Sequence, residues 1–99
     1  MSDERAMIHV EKRGDGDPMA FLVTVREGGG ETRHEVTMKS VTYAKLAGGK
    51  ASAEECIRAA FAFLLDREPK ESILRSFDVT VIGRYFPEFE REIGKYLKA

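Results

Sequence analysis

The amino-acid sequence predicts an α+β domain in which an N-terminal antiparallel sheet is covered on one face by C-terminal helices. Apolar and polar residues alternate over much of residues 6–39, which is the period of a strand, and glycine-rich turns interrupt that alternation twice. Beyond residue 40, apolar residues recur mainly at intervals of three and four, which is the helical period. A chain of 99 residues can bury one hydrophobic core, so we expect a single domain over 1–99.

Three strands are predicted, over residues 6–13, 19–27 and 31–39. In the second strand, Phe21 and Val23 share a face with Val25, while the intervening residues point the other way. Both loops between the strands are short and contain glycine, so the strands should pair as antiparallel hairpins in a three-stranded meander. Such a meander has one apolar face that needs a cover and one charged face.

Helical segments are predicted over 41–47, 52–67, 69–76, 79–86 and 87–98. The best-marked start is the pair Ser52 and Glu55, which forms a capping box. Ser40 or Thr42 is expected to cap the first helix, and Gly48 is expected to end it.

The remaining helix boundaries rest on two prolines and on a segment with mixed signals. Pro69 suits the first turn of a short helix. Segment 79–86 contains β-branched residues that also allow a strand, but its spacing of three and four favours a helix with Asp78 as its cap. Pro87 should divide this helix from the last one, because proline lacks an amide hydrogen.

Charge and apolar patterning exclude several classes of function. Lys and Arg number 16 against 17 Asp and Glu, and this balance argues against a general nucleic-acid-binding protein. The longest wholly apolar run, 59–65, is far shorter than the ~20 residues of a membrane span, and no signal-peptide pattern opens the chain. A lone cysteine, Cys56, suits a reducing compartment, so we expect a cytoplasmic protein.

No catalytic, cofactor-binding or metal-binding residue set is predicted. Gly49-Lys50 is followed by alanine instead of the Ser or Thr of a phosphate-binding loop, so a helix stop explains it better. Cys56 in the first turn of a helix would need a base, and neither His9 nor His34 has a spacing that predicts proximity to it. These histidines and the cysteine also make a poor zinc site.

The stretch FLLDREPKESIL over 63–74, then Phe77 and Asp78, and then VIGRYFPEFE over 81–90 resemble a family of small uncharacterised bacterial proteins. The resemblance covers roughly the C-terminal half of the chain. It implies a bacterial origin and a stand-alone domain, and it brings no activity, ligand or catalytic residue.

The first functional hypothesis is a non-enzymatic protein-interaction module that binds a protein partner or self-associates as a homodimer. Aromatic density near the C-terminus supports it, because Tyr and Arg are favoured anchors of interfaces. An alternative is a small-ligand-binding or enzymatic domain with a crevice near residues 66–85. A third is a nucleic-acid-binding regulator that uses Arg67, Lys70, Arg75 and Arg84. The candidate interface or ligand residues are Arg67, Lys70, Asp78, Arg84, Tyr85, Phe86, Phe89 and Tyr96.

Overall fold

The computed structural model describes residues 6–97, which form one four-stranded sheet and four α-helices. The strand order is that of the sequence, with the first three strands antiparallel and the fourth parallel to the third. The predicted α+β class is therefore confirmed. The elements are β1 (Met7–Gly14), β2 (Met19–Glu27), β3 (Gly30–Met38), α1 (Ser40–Ala47), α2 (Ala53–Leu65), a 3₁₀ helix (Lys70–Ser72), β4 (Ser76–Asp78), α3 (Thr80–Tyr85) and α4 (Phe89–Leu97).

The sheet has one buried face, as the alternation in the sequence predicts. Phe21, Val23 and Val25 of β2 are buried, and the residues between them are not. Val23 lies opposite Val10 of β1 and His34 of β3, so the register continues the buried row across the antiparallel strands. A shift of one residue would turn this row toward solvent, so burial itself fixes the register.

Helix α2 is buried on two sides, which explains its run of apolar residues. Its capping box is present: the Ser52 hydroxyl accepts a hydrogen bond from the Glu55 amide at 3.0 Å, and the Glu55 carboxylate accepts one from the Ser52 amide at 2.8 Å. Phe61 lies 5.3 Å, between ring centroids, from the His34 ring of the sheet. Phe63 lies 5.0 Å from Phe89 of α4. One helix therefore joins the sheet to the C-terminal helices.

The predicted helix over 69–76 is wrong, whereas the predicted three-stranded meander is present as β1–β3 and is extended by a fourth strand. Only Lys70–Ser72 form a helical turn, and Ile73 is already extended. The chain then enters β4, which makes the sheet four-stranded. The Glu35 amide donates to the Arg75 carbonyl at 2.7 Å, and pairing with a strand about 40 positions earlier outweighs the local helix signal of Pro69.

The other helix boundaries agree with the sequence to within a few residues. Segment 79–86 is helical, as α3, and α4 begins two residues after Pro87, at Phe89. Gly48 ends α1 in the left-handed conformation, with φ of 58°. The predicted cap from Ser40 or Thr42 is wrong, because no side chain at the helix start caps it.

The cap of α1 is supplied from a distant loop instead. The Asp17 carboxylate accepts hydrogen bonds from the Ser40 amide at 3.0 Å and from its hydroxyl at 2.8 Å. These bonds hold the pKa of Asp17 below its usual value, with the backbone bond as the largest cause. The loop between β1 and β2 is therefore bonded to the start of α1. The end of the last predicted helix, residue 98, lies outside the described residues.

The capping box gives a first prediction, the substitution Ser52→Ala. Alanine cannot accept the Glu55 amide hydrogen, so the free energy of unfolding should fall by about 1 kcal/mol. Urea denaturation followed by circular dichroism measures this change. Ser52→Asp is the matched control, because aspartate caps as well as serine and should keep the stability near that of the wild type. Equal losses in the two variants would contradict a capping role.

Candidate binding groove

A groove of about 270 Å³ lies between the chain segment 72–77 and helix α3, with the end of α2 beside it. Most of its lining is apolar, and it includes one half-buried carboxylate, Glu68. Its lining extends from Leu64 to Phe86 and so overlaps the region 66–85 in which the sequence suggested a crevice. The apolar side chains that shape it include Ile73, Leu74, Phe77, Val81, Tyr85 and Phe86.

One wall of the groove is the segment that leads into β4, and it is bonded to β3. The Leu74 carbonyl accepts a hydrogen bond from His34 Nδ1 at 2.7 Å. With Nδ1 protonated, Nε2 of a neutral His34 ring accepts from the Thr32 hydroxyl at 2.8 Å. Burial of His34 is the main reason that its pKa lies below the usual value, and a neutral ring matches both hydrogen bonds. The hydrogen bond from His34 therefore fixes the backbone of this wall at Leu74, whose side chain lines the groove.

Helix α3 forms the opposite wall, and Asp78 fixes where it begins. The Asp78 carboxylate accepts a hydrogen bond from the Thr80 amide at 3.0 Å and another from the Thr37 hydroxyl at 2.6 Å. It thereby acts at the helix start, as the sequence predicts. Val81 and Tyr85 are four residues apart on this helix, so both can face the groove.

Leu74 and Tyr85 make the rim of the groove apolar and exposed. The exposed fraction is 48% for Leu74 and 68% for Tyr85. Isolated exposed apolar residues are common, but these two adjoin a concave apolar surface. The rim therefore extends the area that a partner could cover.

Arg67 and Tyr96, two of the predicted interface residues, hold helix α4 against α2. The Arg67 guanidinium carbon lies 3.7 Å from the centre of the Phe63 ring, and Arg67 also donates to Glu88 at 3.2 Å. The Tyr96 hydroxyl accepts from Arg67 at 3.3 Å and donates to Asp66 at 2.6 Å. These contacts form an internal latch.

The other predicted site residues lie in different environments and do not form one site. Lys70 is buried, donates to Glu71 at 2.7 Å and packs against Gly30 at the start of β3. Phe89 is 1% exposed and belongs to the core, whereas Phe86 lines the groove. Arg84 is exposed on α3. Of the eight predicted residues, only Tyr85 and Phe86 line the groove.

Sequence reasoning missed Glu68 and the apolar residues Leu74, Phe77 and Val81 as parts of one surface. The sequence placed Leu74 on a helix that does not form, which hid its position beside Phe77. A usable signal was present on α3, where Val81 and Tyr85 have the spacing of one helix face.

The cysteine and the two histidines considered in the sequence analysis do not line this groove. Cys56 is buried, and burial raises the pKa of its thiol to about 11, so the thiol is protonated at neutral pH. His34 is enclosed in the core, and His9 lies on the uncovered face of the sheet. Within residues 6–97, no cluster of three or more His, Cys, Asp or Glu is arranged to bind a metal ion. In the same range, no helix has the length and apolar character needed to span a bilayer.

Comparisons of the chain with protein-family models, with curated proteins and with solved structures found no match. We therefore infer function from the groove and its surroundings.

The latch predicts a marked loss of stability in Arg67→Ala. Removing this side chain deletes the contact with Phe63 and the bonds to Glu88 and Tyr96, so the free energy of unfolding should fall by about 1–2 kcal/mol. Arg84→Ala is the control, because its side chain is exposed on a helix, and its effect should stay within about 0.5 kcal/mol. Chemical denaturation measures both. Equal effects of the two substitutions would show that the latch does not stabilise the fold.

The buried histidine predicts that stability falls in mild acid. Unfolded His34 takes up a proton near pH 6.5, whereas folded His34 does so only at lower pH, so protonation favours unfolding. The free energy of unfolding of the wild type should therefore decrease as the pH falls below about 6.5. In His34→Gln this contribution is absent while the other titrating groups remain. Denaturation at several pH values measures the two slopes, and identical slopes would contradict the assignment.

Proposed function

We propose that this chain is a non-enzymatic protein-interaction module that binds a short apolar segment of a partner protein in the groove. The observation that carries the proposal is the position of the exposed apolar side chains. Within residues 6–97 the large exposed ones are Met7, Val41, Leu74 and Tyr85, and two of these four adjoin the same apolar groove. Apolar surface concentrated in this way is typical of an interaction site.

The dimensions of the groove favour a polypeptide segment over a small ligand. Small-ligand pockets typically measure about 300–1,000 Å³ and enclose most of the ligand, and this groove of about 270 Å³ is at the lower limit. A partner segment can fill the groove with one or two side chains and cover the rim with its backbone and neighbours.

The chemistry of the lining supports binding more than catalysis. Acid-base catalysis generally needs a positioned donor or acceptor with a partner group, and among the described residues Glu68 is the one carboxylate in the lining of the groove. The thiol of Cys56 and the ring of His34 are enclosed elsewhere in the core. The groove itself favours the ligand-binding or enzymatic alternative, but the described residues place no set of reacting groups around it.

Hydrogen bonds within the chain already fix the walls of the groove in the free protein. His34 holds Leu74, and Asp78 fixes the start of α3. A surface that is ordered beforehand loses less conformational entropy when it binds, so more of the contact energy contributes to affinity.

The setting of this function is also part of the proposal. The resemblance to small bacterial proteins supports a stand-alone domain of bacterial origin. A single buried free cysteine, Cys56, suits the reducing cytoplasm. We therefore place the interaction in the bacterial cytoplasm.

Selection from a phage-displayed library of random short peptides tests the proposal. The immobilised wild-type protein should enrich peptides rich in apolar residues. Tyr85→Ser or Leu74→Ser should weaken the binding of these peptides by about tenfold or more, because each removes an exposed contact at the rim. Fluorescence polarisation with the labelled peptides measures the change.

Val41→Ser is the matched control, because Val41 is 71% exposed on α1 and does not line the groove. It should leave peptide binding unchanged. An absence of enriched peptides, or enriched peptides that bind the Tyr85 and Leu74 variants as well as the wild type, would overturn the proposal.

A further inference from the structure

We infer that the groove selects a partner segment with a basic side chain, arginine before lysine, next to its apolar residues, and that the Glu68 carboxylate recognises that base. This inference rests on the proposed function, since it takes the groove as the docking surface. It adds the chemical class of the occupant and the residue that determines specificity.

The first support is that Glu68 stands apart from the carboxylates around it. Asp66 accepts a hydrogen bond from Tyr96, Glu71 is paired with Lys70, and Glu88 is paired with Arg67. Asp78 accepts bonds from Thr37 and Thr80. Within residues 6–97, Glu68 makes no such hydrogen bond or ion pair, although it lies in the same region of the chain.

The second support is the surroundings of this carboxylate. Glu68 is half-buried in the groove lining, where it is the one charged side chain among residues 6–97. Burial raises its pKa above the usual value, and no donor offsets that burial. A cation supplied by a partner would give the carboxylate the missing counter-charge. Their attraction would be stronger in this apolar setting than in open solvent.

The lining also favours arginine over lysine. A guanidinium group can form two parallel hydrogen bonds with a carboxylate and can stack on an aromatic ring at the same time. The groove offers a guanidinium group both a carboxylate and aromatic rings: Glu68 supplies the carboxylate, and Phe77, Tyr85 and Phe86 supply the rings. The ammonium group of lysine would satisfy the charge of Glu68 but would gain less from the rings.

The charge of the groove argues against other occupants. Nucleic acids are bound chiefly by neutralising phosphates, and a groove whose one charge is a carboxylate would repel them. An acidic peptide would meet the same repulsion. A wholly apolar peptide would leave Glu68 covered without a partner, which costs free energy.

Parallel selections from the same random-peptide library test the inference, with the wild type, Glu68→Gln and Glu35→Gln as targets. Glu35→Gln is the matched control, because it removes one negative charge from an exposed position on β3 outside the groove. The wild type and Glu35→Gln should enrich peptides with Arg or Lys beside apolar residues. Glu68→Gln should enrich apolar peptides without that basic preference.

A double-mutant cycle tests whether the basic residue of the peptide contacts Glu68 directly. Replacing the basic residue of a selected peptide by glutamine should weaken its binding to the wild type by about tenfold, an effect typical of a desolvated charge pair. The same replacement should change little when the target is Glu68→Gln. Thermal unfolding of each variant shows that it retains the fold.

The outcomes separate the inference from the proposed function. Peptides that lack a basic residue, yet lose affinity for Tyr85→Ser, would overturn the inference and leave the interaction module standing. An absence of groove-dependent peptides would overturn both. If sedimentation equilibrium shows a dimer of the free protein that Tyr85→Ser dissociates, the occupant is a second copy and the inference of a basic partner segment is wrong.

Discussion

The pairing of the segment 74–79 with strand β3 is the constraint on which the groove depends. The Glu35 amide donates to the Arg75 carbonyl at 2.7 Å, and the Val79 amide donates to the Thr37 carbonyl at 2.9 Å. Side chains reinforce both ends of this pairing, with His34 bonded to the Leu74 carbonyl and Thr37 bonded to Asp78. Without these bonds the chain between α2 and α3 would be a loop, and the groove would lose one wall.

The layered core explains why apolar surface remains at this place. Helix α2 has the sheet on one side and α4 on the other, and Phe63 contacts Phe86, Phe89 and Tyr96 at centroid distances of 5.9, 5.0 and 5.8 Å. Helix α3 is short and buries Ile82. Its other apolar side chains, Val81 and Tyr85, reach past the core and meet the wall formed by Leu74. The groove is thus the open end of the packing between α2 and α3.

The charges near the C-terminal helices have internal roles that determine which of them can act on a partner. Arg67 and Lys70 have neighbouring carboxylates as partners; Lys70 is buried and Arg67 is partly buried. Glu68 lies between them in sequence but faces the groove. Residues 67–70 run from the end of α2 into the 3₁₀ turn, where successive side chains point in different directions. This geometry separates Glu68 from its two paired neighbours.

Much of the fold could be predicted from the sequence because its signals are local. The alternation in β2 and the capping box of α2 depend on residues within one turn or one strand, and both are present as expected. Strand β4 could not be predicted, because three residues carry no periodicity and their partner strand lies about 40 positions away. The Asp17 cap of α1 was missed for the same reason.

The candidate site was harder to predict than the fold. The region 66–85 and the ring of Tyr85 could be predicted, because a high density of aromatic residues can be read directly from the sequence. It could not separate Glu68 from its paired neighbours, since pairing depends on side-chain directions that only the tertiary structure fixes. Residues such as Arg67 looked available in the sequence and are engaged in the structure.

Amide hydrogen exchange at Glu35 and Val79 tests the central claim most directly, because these two amides make the bonds that hold β4 against β3. The account predicts that both exchange as slowly as the amide of Val23 in the central strand β2, which would show a groove wall that opens only with the whole fold. Exchange as fast as that of the exposed turn residue Gly49 would contradict it, since the segment would then be detached and the groove would not exist in the free protein.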